Sequence, residues 1–214
     1  MYINLMKVGI IRYPGSNCDL DTLNYFENSF FIWHTETVLP EVDFIVIPGG
    51  FAFGDRDYIH ATDKYTISPG TMALRSPVTK LIYEAVKKNI PILGICNGFQ
   101  ILTKLKLLPG ELCKNNNNKF TSKKVKLEIQ SKNYSKTETE LYIANSYGNY
   151  QCSNSEYNIM LKFNQIFLRY TDFDNGSLDG IAGICNYNRT IFGMMPHPER
   201  NNLNFKKILY DIIF

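Results

Sequence analysis

The first half of this chain alternates short, wholly apolar runs with amphipathic stretches. Lys7-Val8-Gly9-Ile10-Ile11, a stretch around Phe30 to His34, residues 43–47 and Ile90-Pro91-Ile92-Leu93 are the apolar runs. Their length and lack of polar alternation predict strands buried on both faces. Between the first two, Pro14-Gly15-Ser16-Asn17 turns the chain, and Ser16 or Asn17 is placed to cap a helix through about Asn28. From Arg75 to Asn89, Val78, Leu81, Ile82, Ala85 and Val86 recur at helical spacing. Another helix is expected directly after the run that ends at Leu93. Buried strands in alternation with helices predict an α/β fold: a mostly parallel central sheet flanked by helices on both faces.

After Leu108-Pro109-Gly110 the texture changes. Val125 to Ile129 alternates apolar and polar residues, and Ile166 to Tyr170, Ile181 to Cys185 and Thr190 to Met194 read as further strands. Asn115 to Asn118 is a polar run, expected to be an exposed loop. Phe205, Ile208, Leu209, Ile212 and Ile213 form the buried stripe of a closing helix. There is no internal repeat and no linker, so residues 1–214 are expected to form a single domain with ample core.

Composition narrows the function classes. A net charge of +3 over 214 residues gives no footprint for nucleic acid or a membrane surface. No segment is long and apolar enough to span a bilayer. Met1 to Met6 runs straight into a strand and lacks a signal peptide's cleavage region, so a cytoplasmic protein is expected. Five cysteines, an odd number without Cys-x-x-Cys, argue against a disulfide framework or a metal site. Cys18, Cys113, Cys152 and Cys185 are read as reduced structural thiols.

Cys96 reads differently. It lies in Leu93-Gly94-Ile95-Cys96-Asn97-Gly98-Phe99-Gln100, directly after a buried strand and before a helix, which is the pattern of a nucleophile elbow. A thiol at a helix N-terminus is favoured as thiolate. Such a nucleophile needs a base, and the base an orienting partner. Of the three histidines, His197 lies in Pro196-His197-Pro198-Glu199. Pro198 biases it toward extended chain, where Glu199, two residues on, points to the same side and can fix its tautomer. Upstream, the strand at 43–47 ends in Pro48-Gly49-Gly50-Phe51, a turn able to aim backbone N–H groups at an oxyanion. Each piece alone is compatible with an inert thiol, a common loop or a plain turn. Their combination, in this order, points to catalysis.

These residues resemble the class I (triad-type) glutamine amidotransferases, whose fold is flavodoxin-like. Within that group, Pro14-Gly15-Ser16-Asn17-Cys18-Asp19, Gly49-Gly50-Phe51-Ala52-Phe53-Gly54-Asp55, Cys96-Asn97-Gly98-Phe99-Gln100 and Met194-Met195-Pro196-His197-Pro198-Glu199-Arg200 are similar to the glutaminase subunits of phosphoribosylformylglycinamidine synthase, from purine biosynthesis. The resemblance implies Cys96, His197 and Glu199 as a catalytic triad and backbone N–H groups of Gly50, Phe51 and Asn97 as the oxyanion hole. It implies Gln100, Asn145, Ser146 and Tyr147 as glutamine-binding residues. It also implies a partner, an ATP-dependent synthetase subunit that carries ATP and magnesium, with a small bridging subunit left open. No cofactor is expected on this chain, which has neither Gly-x-x-x-x-Gly-Lys-[Ser/Thr] nor Gly-x-Gly-x-x-Gly.

The resemblance is incomplete in three places. Residues Arg56 to Ala73, which include His60, form a longer and more polar segment than the family's short loop, read equally as a lid or partner-contact variant and as a tolerated surface insertion. Ile143-Ala144-Asn145-Ser146-Tyr147-Gly148-Asn149-Tyr150 stands where the family often carries Ile-Ala-His-Gly-x-Gly-Arg-Tyr. Asp172 to Ser177 is a reduced form of a Phe-Asn-Pro-Asn-Gly-Ser stretch. The competing readings are an amidotransferase serving another acceptor, a hydrolase of the same fold and a catalytically dead subunit.

Overall fold

A computed structural model describes residues 6–54, 68–130, 137–200 and 203–214. Among them runs a nine-stranded sheet in the order β2-β1-β3-β4-β11-β10-β9-β6-β7, beside a small pair, β5-β8. The strands are β1 (Val8–Arg12), β2 (Ser29–Trp33), β3 (Phe44–Ile47), β4 (Ile92–Ile95), β5 (Glu111–Cys113), β6 (Thr121–Ile129), β7 (Thr137–Asn145), β8 (Asn149–Gln151), β9 (Ile166–Tyr170), β10 (Ile181–Cys185) and β11 (Ile191–Met194). The helices are α1 (Asp19–Tyr25), α2 (Val78–Lys87), α3 (Asn97–Lys104), α4 (Asn154–Lys162) and α5 (Leu203–Ile213).

The sheet has two halves. β2, β1, β3, β4 and β11 pair in parallel. Their short runs are buried residue after residue: all of β3, β4 and β11 lie in the core. Burial of consecutive residues requires cover on both faces, as the apolar runs predict. Tyr83 of α2 donates to Leu105 O just beyond α3 (2.9 Å), and Phe26 after α1 meets Tyr210 of α5 edge-on, so the helices also brace one another. From β11 onward the pairing turns antiparallel, through β10, β9, β6 and β7. Along β6 and β7, buried residues alternate with exposed or half-buried ones toward the strand ends, the mark of a sheet wet on one side.

Parallel pairing brings the carboxyl ends of β3, β4 and β11 to one edge. Such an edge is where doubly wound sheets bind ligands. There β3 leads to Gly49-Gly50, β4 to Cys96 and β11 to Pro196-His197. Strand β7 is last in the order, yet Tyr142 forms an antiparallel bridge with His197, whose N–H donates to Tyr142 O at 2.8 Å. The antiparallel half therefore curls back over the carboxyl edge.

Local structure departs from the sequence reading at several points. Neither Ser16 nor Asn17 caps α1: the N-cap is Cys18, and the Ser16 hydroxyl instead accepts from Tyr13 N–H. The helix stops at Tyr25, because Phe26 is already extended on the way into β2. Likewise α2 begins only at Val78, since Pro77 holds Ser76 extended, and Met72–Arg75 forms a separate 3-10 turn. Strands β5, β7 and β8 and helix α4 have no counterpart in the sequence reading. α4 buries only Met160, so it has no apolar stripe to find, but its Ser153–Glu156 capping box is a sequence signal. Asn115, expected in an exposed loop, is 1% exposed, whereas Asn116 to Asn118 do lie at the surface.

The α5 stripe is confirmed by Phe205, Leu209, Ile212 and Ile213, all buried. Phe205→Ala is expected to lower stability by about 3–5 kcal/mol, the range for emptying a buried phenylalanine site. Lys207→Ala on the solvent face should stay within roughly 0.5 kcal/mol. Urea denaturation midpoints of the two variants check this; equal midpoints would show that the helix does not contribute to the cooperative core.

Candidate active site

Cys96 joins β4 to α3 with φ 51° and ψ −102°. A non-glycine residue there costs on the order of 1–3 kcal/mol and persists only where its surroundings hold it. Cys96 N–H donates to Met194 O (2.7 Å), and Cys96 O accepts from Gln100 N–H (3.1 Å). Gly98 then passes so close to β3 that a methyl group would run into Ile47 O. The thiol is thus fixed at the start of an eight-residue helix, at its positive end. Its exposure is 5%, and Sγ lies 3.9 Å from Ala144 O at the end of β7.

His197 and Glu199 are buried together, with Nδ1 2.6 Å from Glu199 Oε1. A carboxylate accepts only, so Nδ1 carries the proton and Nε2 is the free position. Nε2 has no hydrogen-bond partner among the described residues. Burial alone would push the imidazole pKa down. The charges of Glu199 and Cys96 and the neighbouring thiols outweigh it and hold His197 well above its ordinary 6.5. A histidine so biased favours the imidazolium beside a thiolate.

One partner has no signal in the sequence. Cys18, grouped above with the structural thiols, has its Sγ 3.9 Å from His197 Nδ1, and Arg200 Nη2 donates to that sulfur at 3.3 Å. Cys18, His197 and Glu199 offer donor atoms within 4.8 Å of one another, a spacing that could suit a metal ion. Nδ1 is already paired with Glu199 Oε1 and the sulfur lies under the Arg200 cation, while Glu199 Oε2 has no partner among the described residues. The Arg200 cation on that sulfur opposes a further cation there. His34 packs instead against Trp33 and Phe53, and His60 lies outside the described residues, as does the segment 55–67.

A small cleft opens over the thiol. It brings together Gly50, Phe51, Cys96, Gln100, Asn145, Ser146 and Tyr147 from the sequence reading, and adds Pro69 and Ala144. Pro69 belongs to the far end of the long polar segment, whose sequence holds no sign that it returns to the cleft.

The backbone donors need a correction. Phe51 N–H is not available in this conformation, because it donates to Gly15 O at 2.7 Å within the loop. The N–H groups of Gly50 and Asn97 have no such partner among the described residues. Gly50 stands at φ +137°, and a side chain there would strike Asn17 and Gly15, so only glycine fits. The Asn97 side chain accepts from Ala52 N–H (3.1 Å) and donates to Gln100 Oε1 (2.9 Å). Gln100 Nε2 in turn donates to Tyr147 O (2.7 Å). This amide chain ties the glycine loop to the opposite wall of the cleft.

Comparison with known proteins agrees with this geometry. Residues 5–211 match the family model of the CobB/CobQ-like glutamine amidotransferase domain. The phosphoribosylformylglycinamidine synthase subunit PurQ of Helicobacter hepaticus is 41% identical over 207 residues, covering 91% of this chain and 89% of its own. That of Prochlorococcus marinus is 42% identical over 207 residues, with 91% of each chain covered. Among solved structures, PurLQS from Thermotoga maritima superposes with a TM-score of 0.82 at 29% identity, covering 97% of both chains. Another glutamine amidotransferase from Thermotoga maritima, at 18% identity and a TM-score of 0.56 over 96% of this chain and 81% of that one, shares the fold. By the span of the family match and the identity to these relatives, the chain belongs to the glutamine amidotransferase family, among the PurQ subunits of phosphoribosylformylglycinamidine synthase.

Proposed function

We propose that this chain is the glutaminase subunit of phosphoribosylformylglycinamidine synthase, with Cys96, His197 and Glu199 as its catalytic residues. The observation that carries the reading is the arrangement at the carboxyl edge. A thiol is fixed at a strained strand tip, near a histidine whose Nδ1 is bound to a buried carboxylate and whose Nε2 is free.

The steps follow from these groups. The Cys96 thiolate attacks the side-chain amide carbon of glutamine, and the carbonyl electron pair moves onto oxygen. The N–H groups of Gly50 and Asn97 are the donors available to that oxyanion. The intermediate collapses, the C–N bond breaks, and imidazolium His197 protonates the departing nitrogen to release ammonia. Neutral His197 then takes a proton from water, which attacks the thioester carbonyl. The C–S bond breaks, glutamate leaves, and the thiolate–imidazolium pair is restored. Glu199 holds the imidazole in its tautomer throughout. Gln100, Asn145, Ser146 and Tyr147 line the cleft around the substrate.

Ammonia passes to an ATP-dependent synthetase subunit, which converts formylglycinamide ribonucleotide to the amidine. ATP and magnesium belong to that partner, and this chain needs no cofactor of its own for thioester chemistry. The likeness to the Thermotoga maritima PurLQS supports assembly with a synthetase and a small third subunit. A biosynthetic reaction of this kind supports a cytoplasmic location for the complex.

The direct test is amination of formylglycinamide ribonucleotide by this chain mixed with its synthetase subunit. Glutamine should support product formation with wild type and not with Cys96→Ala, while ammonia should serve both. Ammonia-dependent product without glutamine-dependent product from wild type would refute the assignment.

A pH prediction follows from the imidazole. Glu199 charge holds the His197 pKa up, so Glu199→Gln should lower it, and the alkaline limb of glutamine hydrolysis should move to lower pH. At neutral pH kcat should fall roughly 100-fold or more, the low end for losing an aligned acid–base group. A pH–rate profile of the variant with an unmoved alkaline limb would contradict the role given to Glu199.

A further inference from the structure

The buried member of the polar run, Asn115, touches neither Cys96 nor the cleft lining on its open side, yet it is bonded to the cleft wall from behind through its backbone N–H and both ends of its side-chain amide. Its backbone N–H donates to Ser146 O (2.8 Å). Its Oδ1 accepts from Gly148 N–H (3.0 Å). Its Nδ2 donates to both the main-chain oxygen and the Oδ1 of Asn145, at 3.1 Å each. The amide orientation is forced: Gly148 N–H can only donate, so oxygen faces it and nitrogen faces Asn145. Behind Asn115 lies Asn175, 2% exposed, whose carbonyl accepts from Asn116 N–H (3.1 Å) and whose Nδ2 stands 3.5 Å from the same Oδ1.

These bonds have a consequence for the wall. The carbonyl oxygens of Asn145 and Ser146 are engaged by Asn115, and that of Tyr147 by Gln100. The N–H groups of Ser146 and Tyr147 have no partner among the described residues. With its acceptors engaged inward, the segment has donors left for a ligand, the complement of a carboxylate.

We propose that Asn115 is a positioning residue for glutamine, holding residues 145–148 as the substrate-binding wall opposite Cys96. The proposal rests on the glutaminase reading and goes beyond it by giving the asparagine run a role in substrate affinity. Asn115→Ala removes the side-chain clamp and leaves Gly148 N–H and the Asn145 oxygens unpaired. Asn115→Asp is isosteric and keeps an acceptor for Gly148 N–H, but it turns a carboxylate oxygen toward the two oxygens of Asn145.

The experiment uses the complete complex with the synthetase subunit. Glutamine-dependent and ammonia-dependent product formation are measured for wild type and both variants, and alkylation of Cys96 by iodoacetamide is followed by mass spectrometry. KM for glutamine should rise about tenfold or more, the factor that about 1.4 kcal/mol of lost binding produces. Ammonia-dependent turnover and the Cys96 alkylation rate should stay within about twofold of wild type, because neither uses the wall. A merely structural role would raise KM for glutamine and also move ammonia-dependent turnover and the Cys96 alkylation rate more than about twofold, and that result would overturn the proposal. So would a wild-type KM for glutamine in either variant. If Asn115→Ala does not fold, Asn115→Asp carries the same test. Failure of the glutaminase reading itself is distinguishable, since wild type would then show no glutamine-dependent product at all, and the proposal would fall with it.

Discussion

The site depends on one backbone conformation, that of Cys96. At φ 51° the chain reverses between β4 and α3 tightly enough to leave the thiol at the strand tip, where the helix's positive end acts on it. Nothing intrinsic to cysteine favours this geometry. It is held by the β11 carbonyl that receives Cys96 N–H, and by Gly98, which lets α3 lie directly on the end of β3. The neighbours that hold the turn are the strands that bring the other two parts of the site. β3 leads into the glycine loop and β11 leads into His197. Strand pairing in the parallel half therefore determines both the strain at the thiol and the groups around it.

That dependence explains which features are legible in the sequence. Continuous apolar runs at Val8–Ile11, Phe44–Ile47 and Ile92–Ile95 allow only doubly covered strands, so the parallel half and its carboxyl edge can be read directly. The pairing of His197 with Glu199 is also legible, because extended chain around Pro198 leaves little choice of side. Features set by distant pairing are not. Tyr142 and Ala144 reach the site because the antiparallel half curls over it, and no local pattern in β7 encodes that curl. Cys18 lies in an ordinary-looking turn; its N–H donates to Gly49 O in the glycine pair, which sets it beside His197. Phe51 does line the cleft, but the direction of its N–H depends on a carbonyl supplied by Gly15. A run of asparagines looks like a loop because three of its four members are solvated, which hides the buried one.

The triad and its surroundings divide charge from shape. Cys96, His197, Glu199 and Arg200 are the ionisable groups, and Glu199 and Cys96 hold the His197 pKa up against the effect of burial. A further ionised group in the cleft wall would add an interaction of several kcal/mol at short range and low effective dielectric, enough to displace the imidazole from its working range. The wall is built from neutral amides instead. Asn97, Gln100 and Asn115 give rigid, directional bonds without net charge, and backbone donors at Ala52 and Gly148 fix which end of each amide faces where. Asparagine and glutamine thus shape the pocket while leaving the proton chemistry to the triad.

Such a wall has a cost that bears on binding. Buried polar groups left without partners are unfavourable by about 1–3 kcal/mol each. Here the carbonyls are satisfied while donors remain: the N–H groups of Ser146 and Tyr147 and, fully buried, Nδ2 of Asn145. The imbalance is one-sided, with donors lacking acceptors. Water can satisfy the partly exposed Ser146 and Tyr147, whose bonds to a carboxylate then gain mainly from its charge and from their fixed geometry. Affinity at this wall thus depends on holding the donors in place before substrate arrives. That requirement is met by Asn115 from behind the wall and by Gln100 from within the cleft lining.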